Sequence, residues 1–214
     1  MTLRIVILIS GSGTNLQKII DSIAQDEIDA AIAVVISNRA DVYGLERARN
    51  AGIATQVLDH KEFDTRQAYD AALRQLIDDY DPGLVVLAGF MRILTTEFVE
   101  YYRDRLINIH PALLPHYKGL DTHHRVLDDG ARQHGASAHF VTPDLDSGPV
   151  IIQRGFTVNP DDTVKTLEQR VHEIEYEIYP RAIRWFAQNR LSIENDRVLL
   201  DGELKSEQGI VDNN

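Results

Sequence analysis

The chain has 214 residues, 43% of them hydrophobic, and its 22 basic and 33 acidic side chains give a formal net charge of −11. That charge has the wrong sign for a protein whose main partner is a nucleic-acid surface, although local cations or a helix N-terminus can still hold a small anion. The absence of cysteine excludes disulfides, thiolate nucleophiles and cysteine-ligated zinc, and it fits a reducing compartment.

The first predicted element is a strand over residues 3–9, a continuous apolar run typical of strands buried on both faces. The run is too short to span a membrane and leads directly into Ser10-Gly11-Ser12-Gly13. It therefore predicts a strand that enters a functional turn, followed by a helix over 15–23, and not a signal peptide. We expect a cytoplasmic protein with no membrane partner.

Strands and helices alternate along the next hundred residues. Apolar runs predict strands at 31–36, 55–58, 84–88 and 106–109, and helical patterns separate them at 42–50, 66–80 and 96–102. This alternation predicts an α/β fold with a doubly wound, mostly parallel sheet.

The second half begins with a turn-rich stretch after Pro111. Two further strands are predicted at 136–142 and 150–158, then a helix over 163–189 that is interrupted or bent near Pro180, and a hairpin at 191–200. We find no repeat or linker, so we expect a single domain over 1–204 and a disordered tail over 205–214.

Ligands of open parallel sheets bind outside the carboxyl ends of the strands, which is where the turn Ser10-Gly11-Ser12-Gly13-Thr14-Asn15 lies. Its glycines allow a close backbone approach, and the helix that follows offers free N–H groups to a phosphate. Leu16 replaces the third glycine of a dinucleotide fingerprint, and no Walker lysine follows. A tight turn with Thr14 or Asn15 capping the helix is the open alternative.

A second candidate site is Asn108-Ile109-His110 at the end of a predicted strand. Asn108 and His110 are two residues apart and therefore point to the same side of the strand. A hydrogen-bonding amide and an imidazole are suited to stabilising the tetrahedral oxyanion of acyl transfer. The turn Asp144-Leu145-Asp146 could supply a carboxylate that orients the histidine and favours its imidazolium form, or it could simply be a solvated hairpin.

Six histidines between His110 and His139 raise the alternative of a metal site. They are His110, His116, His123, His124, His134 and His139, with Asp121 or Asp146 as a possible carboxylate ligand. No His-Glu-x-x-His helix or comparable ligand spacing accompanies them, so we expect no metal.

Three motifs occur together, in order, and resemble those of the folate-dependent formyltransferase family. They read GSGTN at 11–15, NIHPALLP at 108–115 and DSGPVIIQ at 146–153, and AGFMRIL at 88–94 forms a fourth block. The resemblance extends from about Leu3 to Gly202. It implies a Rossmann-like core and transfer of a formyl group from 10-formyltetrahydrofolate, as co-substrate, to the amine of phosphoribosylglycinamide in purine synthesis, with small molecules as the only partners of a monomer or homodimer.

The resemblance also implies residue roles. Asn108, His110 and Asp146 would be catalytic, and Gly13, Thr14, Asn15 and Glu175 would bind the phosphoribosyl substrate. The residues implied for the folate are Arg66, Met91, Arg92, Ile93, Leu94, Asn108, Thr142, Pro143, Asp144, Leu145 and Asp146, with Leu87, Phe98, Leu106 and Val141 as candidate apolar walls.

Three other functions are alternatives to formyl transfer to phosphoribosylglycinamide. Methionyl-tRNA formyltransferases share the core but add a tRNA-binding domain, for which we expect no room after the last hairpin and no basic face. Formyltetrahydrofolate hydrolases carry an additional N-terminal domain, whereas the first core strand here starts at Leu3. A non-catalytic folate or nucleotide binder would not need Asn108, His110 and Asp146 together.

Overall fold

The computed structural model describes residues 2–204 and 210–212. The chain forms two compact units, Met1–Asn108 and Ile109–Asn214. The single domain expected over 1–204 therefore stays a prediction. Among the described residues, no helix is both long and apolar enough to cross a membrane.

The first unit alternates strands and helices, as the sequence predicts. Its elements are β1 (Leu3–Ile9), α1 (Thr14–Ala24), β2 (Ala30–Ser37), α2 (Tyr43–Asn50), β3 (Thr55–Val57), a 3₁₀ turn (His60–Glu62), α3 (Arg66–Asp78), β4 (Leu84–Leu87), α4 (Thr96–Tyr101) and β5 (Leu106–His110), whose last two residues belong to the second unit.

All strand pairs of the first unit are parallel, in the order β5-β4-β1-β2-β3. The central strand β1 is buried on both faces, since its residues from Ile5 to Ile9 expose no surface. The chain proceeds outward from β1 to β3 in one direction and from β4 to β5 in the other. The turns that follow β1 and β4 therefore lie side by side at the switch in strand order, where ligands bind in doubly wound sheets.

The second unit contains the antiparallel pair β6 (Gln133–Phe140) and β7 (Val150–Thr157), with β10 (Ile210–Asp212) parallel to β7. Helix α5 (Thr122–Asp128) precedes this pair, and the long helix α6 (Val164–Ala187) packs against both of its strands. Strands β8 (Leu191–Glu194) and β9 (Arg197–Leu200) form the predicted hairpin. The predicted α/β class with a mostly parallel sheet is confirmed.

Three local features differ from the sequence prediction. Helix α5 begins within the stretch predicted as turns. Its sequence gives little sign of a helix, because it buries only Thr122 and Val126 and its N-cap, Asp121, makes no side-chain capping bond. Helix α6 is not interrupted at Pro180, since buried neighbours on both sides of the proline hold it in place, and the predicted bend there stays a prediction. Of the tail expected to be disordered, residues 205–209 and 213–214 lie outside the described residues, and 210–212 form β10.

Candidate active site

His110 is the last residue of β5 and is only 4% exposed. Its Nε2 lies 2.9 Å from the carbonyl oxygen of Tyr117, and its Nδ1 lies 3.4 Å from Oδ2 of Asp146. A carbonyl can only accept, so Nε2 carries a proton and donates it. Both ring nitrogens of His110 therefore face hydrogen-bond acceptors. Asn108 precedes His110 by two residues, and strand alternation directs both side chains to one side of β5.

Asp146 lies in the turn between β6 and β7, with a positive φ of 48°. Its Oδ2 accepts a hydrogen bond of 2.8 Å from the backbone N–H of Gly119, and its Oδ1 lies 3.7 Å from Nε2 of His139. A carboxylate that accepts a backbone N–H bond is held in one orientation. The structure therefore brings His110 and Asp146 together, as the sequence predicts, and adds His139 to them.

His139 is buried, and this burial lowers its pKa to about 4, although Phe140 and Asp146 act in the opposite direction. Its Nδ1 donates to the carbonyl oxygen of Phe140 at 2.8 Å. The 3.7 Å separation from Asp146 would be an ion pair only if His139 were charged, and burial keeps the ring neutral at pH 7. The Asp146 charge is thus left to pair with His110.

The segment after His110 is anchored to the β6–β7 pair by a buried serine. Ser137 Oγ donates to the carbonyl of Ala112 at 2.7 Å and accepts from the backbone N–H of Leu114 at 3.1 Å. The side chain of Gln153 adds a bond of 3.1 Å to the Leu114 carbonyl. These contacts fix the start of the loop that carries Tyr117.

A cavity of about 220 Å³ borders Asp146, with Lys118 and Arg197 in its lining. Lys118 Nζ donates to Ser147 Oγ at 2.7 Å, so this lysine lies next to the turn that carries Asp146. The surroundings of Asp146 in the second unit thus contain both an imidazole pair and a cation.

The other histidines do not form a metal site in the described part of the chain. Nδ1 of His123 and Nε2 of His134 lie 2.8 Å apart and bond to each other. Within residues 2–204 and 210–212, no group of three or more His, Cys, Asp or Glu side chains is arranged to hold a metal.

The glycine loop, residues 11–15, leads into α1. Gly13 is the N-cap residue with a positive φ of 70°, so the alternative in which Thr14 or Asn15 caps the helix is wrong. Both of those residues lie in the first helical turn. The Gly11 carbonyl accepts from the N–H of Gly44 at 3.1 Å. The start of α2 therefore packs directly against this loop.

The segment after β4 contains the residues expected to hold the folate. Met91 and Ile93 are 70% and 58% exposed, whereas Leu94 is buried. The Arg92 guanidinium lies 4.6 Å from the centroid of the Tyr69 ring, a cation–π contact. The segment thus presents two apolar side chains to solvent beside an oriented cation.

A buried carboxylate supports this segment from α3. Oδ2 of Asp70 accepts a hydrogen bond of 2.6 Å from the backbone N–H of Thr95. Burial raises the pKa of Asp70, while that bond and the charges of Arg92 and Arg66 act to lower it. Arg66 is the first residue of α3, so it and Arg92 both lie within electrostatic range of one carboxylate.

The remaining predicted contacts are divided between surface and core. In the 142–146 turn, Pro143, Asp144 and Leu145 are exposed, and Thr142 Oγ1 donates to the Asp144 carbonyl at 3.3 Å. Glu175 is 5% exposed on α6. Of the candidate apolar walls, Leu87, Phe98 and Leu106 belong to the buried core, and Val141 is half-buried.

Sequence reasoning did not predict several contacts that join distant parts of the chain. It named Ser10 only as part of the glycine turn and His139 only as a possible metal ligand, and it did not name Asn38. All three are buried polar residues at or near strand ends. The burial of Asp70 was not predicted, because a charged residue in a helix is ordinarily solvated.

The chain matches the formyl transferase family model over residues 3–183. It is 50% identical over 207 residues to a phosphoribosylglycinamide formyltransferase of Escherichia coli, covering 97% of this chain and 98% of that protein. It is 41% identical over 206 residues to the enzyme of the same name from Haemophilus influenzae, covering 96% and 97% of the two chains. A solved phosphoribosylglycinamide formyltransferase from Coxiella burnetii, in complex with CHES, aligns with a TM-score of 0.94 at 51% identity over 99% of both chains.

Proposed function

The chain belongs to the formyl transferase family, and on this premise we propose that the end of β5 catalyses transfer of a formyl group from 10-formyltetrahydrofolate to phosphoribosylglycinamide in purine biosynthesis. The observation that carries the proposal is the 3.4 Å contact between His110 and Asp146. It supplies a charged donor beside an amide, Asn108, on the same strand.

The reaction starts with attack of the neutral amine of the glycinamide on the formyl carbon. A C–N bond forms, the formyl oxygen becomes negative, and the amine carries a surplus proton. The amide of Asn108 and the imidazolium of His110 donate hydrogen bonds to that oxygen, and one preorganised donor of this kind is worth about 3 to 4 kcal/mol. The bond to the folate nitrogen then breaks, and this nitrogen receives the proton that the amine loses.

Asp146 has two roles in this scheme. Its negative charge stabilises positive charge on the His110 ring when that ring donates to the oxyanion. It can also accept the surplus proton of the amine through water and return it to the leaving nitrogen. No protein nucleophile is needed, because the amine itself attacks.

Tyr117 adds a condition to this mechanism. The Nε2–H of His110 donates to the Tyr117 carbonyl at 2.9 Å, and that is the same N–H that would donate to the oxyanion. Donation to the substrate therefore requires the turn around Tyr117 to release this contact. The Nδ1 side of the ring stays paired with Asp146 throughout.

The remaining assignments follow the chemistry of the ligands. We assign the phosphate to the backbone N–H groups of the glycine loop, with Thr14, Asn15 and Glu175 contacting the rest of the phosphoribosyl substrate. We assign the folate to Met91–Leu94, Arg66 and the 142–146 turn. Arginines suit its carboxylates, and exposed apolar side chains suit its rings.

We further propose that the enzyme acts in the cytoplasm, as a monomer or homodimer, on small molecules only. The charge of −11 supports small-molecule partners over nucleic acid, and the absence of cysteine supports a reducing compartment.

An absorbance assay for tetrahydrofolate tests the function. Purified enzyme with 10-formyltetrahydrofolate should form product only when phosphoribosylglycinamide is added, and not with methionyl-tRNA or without an acceptor. Product formed without an acceptor would indicate a hydrolase. Folate binding without turnover, whatever the acceptor, would indicate a non-catalytic binder.

A further inference from the structure

Ser10 connects three neighbouring strand ends in the first unit. It directly follows β1 and is 4% exposed. Its hydroxyl donates to Oδ1 of Asn38, just after β2, at 2.7 Å and accepts from the backbone N–H of Met91, after β4, at 2.8 Å. Its own backbone N–H donates to the carbonyl of Gly89 at 3.1 Å. A hydroxyl has one proton, so its donating and accepting roles are both fixed here.

The two sides of this connection lead to different ligands. Ser10 immediately precedes the glycine loop, whereas Met91 is the first residue of the segment assigned to the folate. No other residue separates the loop from the Met91 amide along this path. A shift of the serine hydroxyl would therefore move both backbones.

Asn38 extends the connection toward Arg92. Its Nδ2 lies 3.4 Å from Nδ1 of His60, and the His60 and Tyr69 rings make a T-shaped contact with centroids 6.4 Å apart. Tyr69 is the ring on which Arg92 stacks. The first two residues of the folate segment, Met91 and Arg92, are thus linked to Ser10 directly or through Asn38, His60 and Tyr69.

We propose that Ser10 is a positioning residue whose single hydroxyl sets the affinity for both substrates. The proposal rests on the assignment of the glycine loop to the phosphate and of Met91–Leu94 to the folate. Ser10 touches neither ligand in this scheme. It acts by holding the Met91 amide and the start of the loop in one fixed relation.

Removing the hydroxyl with Ser10→Ala takes the Ser10 partner away from the Met91 N–H and from the buried Asn38 Oδ1, and both segments should shift in response. We expect KM to rise about 10-fold for each substrate, with a smaller change in kcat. Ser10→Thr keeps the hydroxyl and should recover most of both affinities. Asn38→Ala should raise the same two constants, and its effect should not add fully to that of Ser10→Ala.

Ser37 provides a matched control. It is also buried, and its hydroxyl likewise donates one bond, at 2.7 Å, and accepts one, at 3.0 Å, but both partners are backbone groups of Arg39 in its own turn. Ser37→Ala should lower Tm as Ser10→Ala does while leaving both KM values within about twofold of wild type.

Amide hydrogen exchange of the ligand-free protein provides a readout independent of activity. Ser10→Ala should speed exchange at Met91 and in residues 11–15 together, and Ser37→Ala should speed neither. The exchange experiment tests the role of the Ser10 hydroxyl even if Ser10→Thr proves too crowded to fold.

Failure of the Ser10 proposal and failure of the proposed function give different results. An increase of only one KM, a Ser37→Ala effect equal to that of Ser10→Ala, or unchanged exchange at Met91 would each overturn the proposal while leaving formyl transfer by the wild type intact. Wild-type protein that transfers no formyl group would overturn the proposed function, and the exchange experiment, with calorimetric titration of each substrate, would still test the coupling.

Discussion

Each ring nitrogen of His110 faces one neighbouring acceptor, and these two contacts orient the ring. The Tyr117 carbonyl accepts the Nε2 proton, and the Asp146 carboxylate lies 3.4 Å from Nδ1. His139 lies on the other side of Asp146 but stays neutral because it is buried. At the scale of single residues, the proposed site pairs one carboxylate, Asp146, with one imidazole, His110.

Asp146→Asn should therefore lower kcat by about 10²- to 10³-fold, similar to the loss of one preorganised transition-state donor. His110 then faces a neutral amide in place of a carboxylate, while both KM values should change little. Measurement of kcat and KM from pH 5 to 9 tests this. Asp161→Asn, which removes an exposed carboxylate of the same unit, is the control. Near-normal kcat in Asp146→Asn would reduce Asp146 to a turn residue.

Arg92→Lys should raise KM for the formyl donor about 10-fold and leave KM for phosphoribosylglycinamide unchanged. Lysine keeps the charge but loses the planar stacking on Tyr69 and the forked geometry that binds a carboxylate. Steady-state kinetics with each substrate varied in turn provides the measurement. Equal increases in both constants would place Arg92 outside the folate site.

At the scale of elements, the glycine loop is defined by the close packing of α2 against it. A Cβ on Gly13 would come within 2.6 Å of Gly44 Cα, and a Cβ on Gly44 would meet Ile9 Cδ1 at 2.5 Å and the Gly11 carbonyl at 3.0 Å. Arg47 reinforces the contact by donating to the Ser12 carbonyl at 2.9 Å. The glycines at 13 and 44 thus allow a helix and a loop to touch through backbone alone.

Two alanine variants separate packing from ligand approach in this loop. Gly44→Ala should lower Tm and raise KM for phosphoribosylglycinamide, because the loop must move to relieve the clash. Gly11→Ala meets no atom within 4 Å, so it should leave Tm unchanged and raise that KM only through contact with the ligand. Differential scanning fluorimetry and kinetics test both. An unaltered KM in Gly11→Ala would show that the phosphate does not approach that residue.

The whole molecule should lose stability in acid partly through two buried histidines. Burial lowers the pKa of His134 and of His139 to about 4, against 6.5 ordinarily. The unfolded chain therefore binds protons below about pH 6.5 that the folded chain binds only below about pH 4. Each contribution is fully present above pH 6.5 and is lost as the pH falls toward 4, by at most about 1.4 kcal/mol per pH unit.

His134→Gln isolates one of these contributions, because the glutamine amide reaches about as far as Nε2 and can still contact His123. The free energy of unfolding, from urea titrations between pH 4.5 and 7.5, should fall less steeply with acid in this variant than in wild type. Parallel curves would mean that His134 binds protons equally in both states. Carboxylates affect both proteins alike and cancel in the difference.

The sequence by itself determined most of the strands and helices and the positions of the candidate motifs. Continuous apolar runs predicted the buried parallel strands, since burial on both faces removes alternation. The order of the GSGTN, NIHPALLP and DSGPVIIQ motifs indicated the family, and strand alternation directed Asn108 and His110 to one side of β5. These are local properties, because each depends on residues a few positions apart.

Only the tertiary structure decided which distant groups meet. The bond from the Met91 amide to Ser10 joins residues 81 positions apart, and it exists because β1 and β4 are neighbours in the sheet. The pairing of Asp146 with His110, the neutral His139 beside it and the Tyr117 carbonyl on Nε2 likewise depend on how the loops fold back on one another. Periodicity records whether a side chain is buried, but the free energy of a buried polar group depends on its particular partner, which only the folded chain supplies.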